Sequence, residues 1–205
     1  MIARTLVVSL IAIASAGAQT PDGVKLIVGP ESELSFEGTS TLHSFHCKTT
    51  KLQVSASVDP TYMEAKLSQM NRPLKSVDVV IPVKSLSCGN KGLEENMFKA
   101  LKADKFPEIR YTLSTYEIAG AATDDVITLQ SVGTLTVAGK EKAINLIVKT
   151  NRIAGGKAIA TGTQAILMTD FGIKPPVMML GTLKTGNKIV VSFKLNVVPR
   201  AVAAQ

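Results

Sequence analysis

Tryptophan is absent, and all aromatic residues together make up 4% of the chain. So few flat rings exclude a base-stacking platform for single-stranded nucleic acid. The only histidines are His43 and His46, and the only cysteines are Cys47 and Cys88. His43 and His46 are three apart in a segment that reads as extended, so their side chains point to opposite faces and no metal site is expected. There is no G-x-S-x-G nucleophile elbow, no phosphate-binding loop and no dinucleotide fingerprint, and no local Ser–His–Asp arrangement stands in their place. Acidic residues are the minority: 23 Lys and Arg against 16 Asp and Glu leave a formal charge of +7. The cations are spread along the chain rather than run together, which argues against nucleic acid as a partner. No apolar run approaches the roughly 20 residues that a membrane-spanning helix needs.

What is present begins at the N-terminus. Arg4 supplies a positive charge, an apolar run covers 6–14, and Ala16-Gly17-Ala18 follows. This is the order of a secretory signal with an A-x-A cleavage site. The expectation is a signal peptide over 1–18 and a single domain over 19–205, periplasmic or secreted. An oxidising compartment permits a Cys47–Cys88 disulfide, with two buried free thiols as the alternative.

Period-two alternation dominates the rest. Ile189, Val191, Phe193, Leu195 and Val197 share one face, while Ser192, Lys194 and Asn196 point the other way. The same pattern recurs at Val77, Val79 and Ile81, at Ile109, Tyr111 and Leu113, and at Ile144, Leu146 and Val148. Leu52, Val54, Ala56 and Val58 make another such strand; Ile127 and Leu129, then Leu135 and Val137, continue it around Ser131 and Gly133. Gly139-Lys140, Gly155-Gly156, Asp124-Asp125 and Gly186-Asn187 read as turns, which makes consecutive strands antiparallel neighbours. One segment breaks the period: Leu93, Met97 and Leu101 recur every four residues, with Glu94 and Glu95 early and Lys99 and Lys102 late. That charge order suits the helix dipole, and an amphipathic helix is expected over 91–103, with a weaker helical signal over 62–70. The fold expected is all-β: about eight strands in a closed barrel or sandwich, with one or two short crossing helices.

Two features carry candidate chemistry. Met97, Met168, Met178 and Met179 suit an adaptable apolar site or ordinary core packing. Residues 174–181, Lys-Pro-Pro-Val-Met-Met-Leu-Gly, form an apolar loop that either folds onto a barrel mouth or contacts a ligand or membrane. Asp170 reads as a turn residue.

Four segments, in order, resemble the YceI-like family of exported lipocalin-like barrels that bind polyisoprenoid lipids. They are Ser35-Phe36-Glu37-Gly38 running into Thr39-Ser40-Thr41-Leu42-His43-Ser44-Phe45; Met97 onward through Leu101, Phe106-Pro107-Glu108-Ile109 and Tyr111; Gly133-Thr134-Leu135-Thr136-Val137-Ala138-Gly139; and Thr169-Asp170-Phe171-Gly172-Ile173. The chain departs from the family pattern at Gly92-Leu93-Glu94-Glu95, where many members carry an Arg-Asp pair, at Met168 in place of an Arg, and at Val24-Lys25-Leu26-Ile27 in place of a Trp-containing opening. These mark a divergent branch, whose ligand need not be a long isoprenoid. The resemblance implies a closed lipocalin-like barrel without cofactor or catalytic residues, holding an apolar chain such as an isoprenoid or isoprenoid quinone. Candidate lining residues are Phe36, Phe45, Leu101, Phe106, Tyr111, Leu135, Phe171 and Phe193. A barrel filled by its own side chains, acting as a structural or protein-interaction module, is the alternative. Transient contact with a membrane surface and pairing of two copies stay open.

Overall fold

The computed structural model describes residues 23–178 and 182–200. The expected signal peptide lies outside the described residues, as do positions 179–181 of the apolar loop. The alternating segments form strands β1 (Val24–Val28), β2 (Glu33–Ser40), β3 (Ser44–Thr49), β4 (Gln53–Val58), β5 (Leu74–Pro82), β6 (Glu108–Ile118), β7 (Val126–Val137), β8 (Lys140–Arg152), β9 (Ala158–Leu167), β10 (Val177–Met178) and β11 (Leu183–Pro199). Helix α1 (Lys91–Ala100) lies between β5 and β6.

Strands β4 to β9 form an antiparallel meander, β9 pairs with β11, and β11 pairs with β1, which returns to β4. These eight strands close a barrel and leave no free edge within the ring. The expected all-β barrel is therefore observed. Strands β2 and β3 stand above it as a hairpin, with β2 still paired to β11 through Val191 and Phe36. The bend between β1 and β2 is held by Ser32, a buried hydroxyl that donates to Gly29 O at 2.9 Å and accepts from Asn196 N–H at 2.9 Å. On its other side β3 has one backbone bridge among the described residues, Lys48 to Ser87. There Cys47 and Cys88 are joined as a disulfide, which ties β3 to the segment entering α1.

Helix α1 is capped by Asn90, whose side chain accepts from Leu93 N–H at 3.0 Å. Glu94 accepts from Cys88 N–H and Ser87 Oγ, both at 2.8 Å, and these bonds hold its carboxyl below the usual range. The helix is shorter than the apolar spacing implies. It ends at Ala100, because Lys102 takes a left-handed conformation (φ 52°) that turns the chain towards β6. Two other expectations shift. The β7–β8 turn is Ala138-Gly139, both at positive φ (49° and 74°), one residue earlier than expected. Gly186-Asn187 is no hairpin; it lies inside β11, where the register with β2 slips between Thr185 and Ile189. The weak helical signal resolves into two 3-10 turns, Pro60–Met63 and Leu67–Gln69.

Those turns seal one end of the barrel. Leu67 is fully buried and Tyr62 nearly so, both within the main core with Leu26, Val58, Ile127 and Val197. Arg152 latches them: Nη1 donates to Tyr62 O at 2.7 Å and Ala65 O at 2.5 Å, and Nη2 to Asp124 O at 3.1 Å. A second, smaller core of Val137, Ala138, Phe171 and Ile173 lies at the opposite end.

Two stability effects follow from this framework. Replacing Cys47 and Cys88 by Ser opens a loop spanning 41 residues; unfolding free energy should fall by about 4 kcal/mol in the loop-entropy treatment, read as a lower denaturant midpoint. Replacing Arg152 by Leu leaves the carbonyls of Tyr62 and Ala65 without their donor, while Asp124 O keeps Leu67 N–H; stability should fall by about 2 kcal/mol, with Arg152→Lys recovering only part because an ammonium lacks the planar fork. An unchanged midpoint in R152L would show that the latch is dispensable.

Candidate functional site

Inside the ring, alternate residues of every barrel strand point inwards and meet the inner face of α1. They enclose a cavity of about 360 Å³, which lies within the size range of small-molecule sites. Inward-pointing Leu135, Leu146, Val148, Val191 and Leu195 are only partly buried, because they border this space rather than each other. No Asp, Glu, His, Lys or Arg lines it among the described residues.

Three inward aromatics share a local device. Phe45 lies over Gly38, Tyr111 over Gly133 and Phe193 over Gly162, each glycine on a neighbouring strand. A Cβ at any of these glycines would collide with the ring above it. The rings therefore lie against the wall and leave the centre open. Phe36 meets Phe45 edge-on at 6.5 Å between centroids.

The polar groups in the wall are few and largely paired. Tyr111 Oη donates to Ser131 Oγ at 3.4 Å, and Ser131 Oγ donates to Leu146 O at 2.9 Å. Burial raises the Tyr111 phenol above its ordinary pKa, opposed by the bond to Ser131. Tyr62, at the sealed end, is raised by burial and opposed by the Arg152 charge. Asn96, Thr150, Gln164 and Thr185 supply the other uncharged polar side chains.

Of the residues selected from the sequence, Phe36, Phe45, Leu101, Tyr111, Leu135, Phe171 and Phe193 border the cavity. Phe106 does not. Its N–H closes a turn onto Lys102 O at 2.9 Å just before Pro107, so it precedes the strand alternation. Its ring covers Gly139 instead, with the Lys105 ammonium 5.4 Å from its centroid. The aliphatic majority of the wall went unselected, although its signal, inward parity, was present at Ile144, Val148, Val191 and Leu195. Leu93, Met97 and Ala100 bring the α1 face into the wall, and Met168 joins from the turn after β9. Asp170 in that turn pairs with Lys142 at 2.5 Å. His46 lies 3.4 Å from Glu37 on the exposed side of the hairpin.

The cavity reaches the end away from Arg152 between α1, β3 and the start of β11. There Leu93, Asn96, Phe45, Pro176 and Thr185 line it while only half-buried.

No curated protein matches the chain. Solved structures do. BcnA of Burkholderia cenocepacia superposes with a TM-score of 0.63 at 17% identity, over 83% of this chain and 99% of that one. A polyisoprenoid binding domain from Saccharophagus degradans, implicated in plant cell wall breakdown, gives 0.62 at 12% identity, over 86% and 99%. A YCEI protein of Campylobacter jejuni gives 0.56 at 20% identity, over 73% and 82%. At these identities the likeness is one of fold. The family model for the YceI-like domain matches residues 27–197, nearly the whole barrel from β1 to β11. The chain belongs to the YceI-like family.

Proposed function

We propose that this protein binds an apolar, chain-like ligand in its barrel and carries or sequesters it in the cell envelope. The ligand class is a polyisoprenoid, an isoprenoid quinone or a similar lipid. The observation that carries this reading is the uncharged cavity of about 360 Å³. Each methylene moved from water into such a space contributes about 0.8 kcal/mol. A dozen would give roughly 10 kcal/mol, enough to leave useful affinity after the cost of ordering the chain. The phenol–hydroxyl pair of Tyr111 and Ser131 offers a neutral hydrogen-bonding point. Binding rather than catalysis fits a wall whose only titratable side chains among the described residues are the phenols of Tyr62 and Tyr111. The name of the Saccharophagus degradans neighbour supports the polyisoprenoid class. The charged, apolar and small-residue order of the first 18 residues supports export. The side-chain-filled alternative is weakened by the volume that the inward side chains leave open.

Native mass spectrometry of the protein from its own envelope should show an adduct of chain-lipid mass that organic extraction releases. Leu146→Glu, which puts a charge into the wall, should lose it; Ala160→Phe, which fills space without charge, should lose it while keeping the fold. Protein that carries no adduct and takes up no added isoprenoid quinone or alcohol would leave the structural module as the answer.

A second readout uses the absence of tryptophan. The three tyrosines are Tyr62, Tyr111 and Tyr116, and burial raises all three phenols above the ordinary value of 10.0. A raised folded-state pKa on an acid favours the protonated form. Its contribution to stability is therefore present below pH 10 and lost as pH rises through the raised values. Ultraviolet titration at pH 10 should find folded protein less than half ionised and denatured protein half ionised. Loading the cavity should move the Tyr111 transition further up, because ligand displaces water from that phenol. A titration identical with and without ligand would place the ligand elsewhere.

A further inference from the structure

At the end away from Arg152 the outer surface is neither uniformly polar nor charge-balanced. Leu42, at the tip of the β2–β3 turn, is 71% exposed, Val177 is 52% exposed and Leu167 is 42% exposed. They come from three separate segments that backbone pairing brings together. Thr41 N–H donates to Lys184 O at 3.0 Å. Val177 is in register with Lys184, and Leu167 with Lys188. Lys184 and Lys188 thus stand among the three apolar side chains. Both are exposed, as is Lys174 nearby, and none of the three has an ion-pair partner among the described residues. Asp170 nearby is already paired with Lys142, and Glu37 is in hydrogen-bond contact with the His46 ring at 3.4 Å. This rim is continuous with the cavity, since Pro176 and Thr185, chain neighbours of Val177 and Lys184, line it.

We propose that the rim is a docking surface for an anionic lipid bilayer, on which the protein sits with the open end of its cavity facing the membrane. Exposed aliphatic side chains gain nothing in water, whereas a bilayer interface accepts them below the headgroups and holds lysines beside the lipid phosphates. Three aliphatic side chains are too few to build the buried centre of a specific protein interface. Docked in this way, an apolar chain passes between bilayer and cavity without crossing bulk water. That purpose rests on the cargo reading above, but the docking itself is measured without cargo.

The test is flotation of purified protein with phosphatidylcholine vesicles, with and without phosphatidylglycerol, at low and high salt. The protein should float with the anionic vesicles at low salt, and not with neutral ones. Removing both charges in the Lys184→Gln, Lys188→Gln pair should lower the partition coefficient roughly 30-fold. Leu42→Ser with Val177→Ser should lower flotation with the anionic vesicles at low salt, where both charges are intact. All four positions are exposed, so the variants should keep their fold and any lipid adduct in native mass spectrometry, and this is checked on the same samples. Wild-type protein that ignores anionic vesicles, or a four-site variant that floats as well as wild type, overturns the proposal. So does a wild-type dimer that L42S/V177S dissolves, with no vesicle binding, since the rim would then belong to a second copy. Vesicle binding by a protein whose cavity takes up no lipid would uphold the docking and defeat the cargo reading instead.

Discussion

Closing the ring puts two demands on β11. One edge must hold β9 from Lys188 to Val197, while the other holds β2 and then β1. A single 17-residue strand spans both partners, so the bend has to occur in the partner chain, at the turn stapled by Ser32. Below that bend β1 passes to β4 and completes the barrel. Above it β2 passes to β3, which leaves the ring. Among the described residues β3 pairs with no strand on its other side, and there α1 with the Cys47–Cys88 bond completes the wall. The irregularity of β11 between Thr185 and Ile189 falls at the same height and turns Thr185 inwards. The opening of the cavity is therefore a consequence of how the barrel closes.

The cavity would be a liability if left unoccupied. Yet larger side chains do not fill it. The glycines under Phe45, Tyr111 and Phe193 do the reverse, drawing three of the bulkiest inward residues back against the wall. A chain selected only for stability would exchange those glycines for residues that push the rings inwards. Keeping the centre open has an energetic cost that bound apolar matter can offset, and the absence of charge from the wall among the described residues fits the same occupant.

The barrel was legible because alternation is a local signal that eight strands repeat. The turns at Gly155-Gly156 and near Gly139 were legible for the same reason, since positive φ needs particular residues. Closure was not. The pairings of β11 with β1 and β2 join residues from opposite ends of the chain, and nothing local encodes them. Gly186-Asn187 carries turn chemistry, but long-range pairing on both flanks uses it as a slip within one strand. Similarly, Lys102 ends α1 early through a backbone conformation that the amphipathic spacing does not register. For the site, inward parity pointed to the cavity wall at Phe36, Phe45, Tyr111, Leu135 and Phe193. It failed at Phe106, which precedes Pro107 and so belongs to a turn. Whether an inward aliphatic residue is core or cavity wall depends on the diameter of the ring, which no single strand carries.

The two ends of the barrel differ in kind. At one, Arg152 joins three carbonyls from the segments on either side of it, so opening that end would strand several polar groups at once. At the other, the wall elements are α1, the β2–β3 hairpin and the segment entering β11. The hairpin is held to β11 by the β2–β11 ladder and the bonds around Thr41, whereas α1 belongs to no ladder and meets the wall mainly through side chains, near the Lys48–Ser87 bridge. Displacing α1 would expose apolar surface but break few hydrogen bonds, and apolar surface is what a bilayer or a lipid chain can cover. The disulfide limits that displacement by fixing β3 to the entry of α1 while leaving the far side of the hairpin, at Leu42, free of any covalent tie.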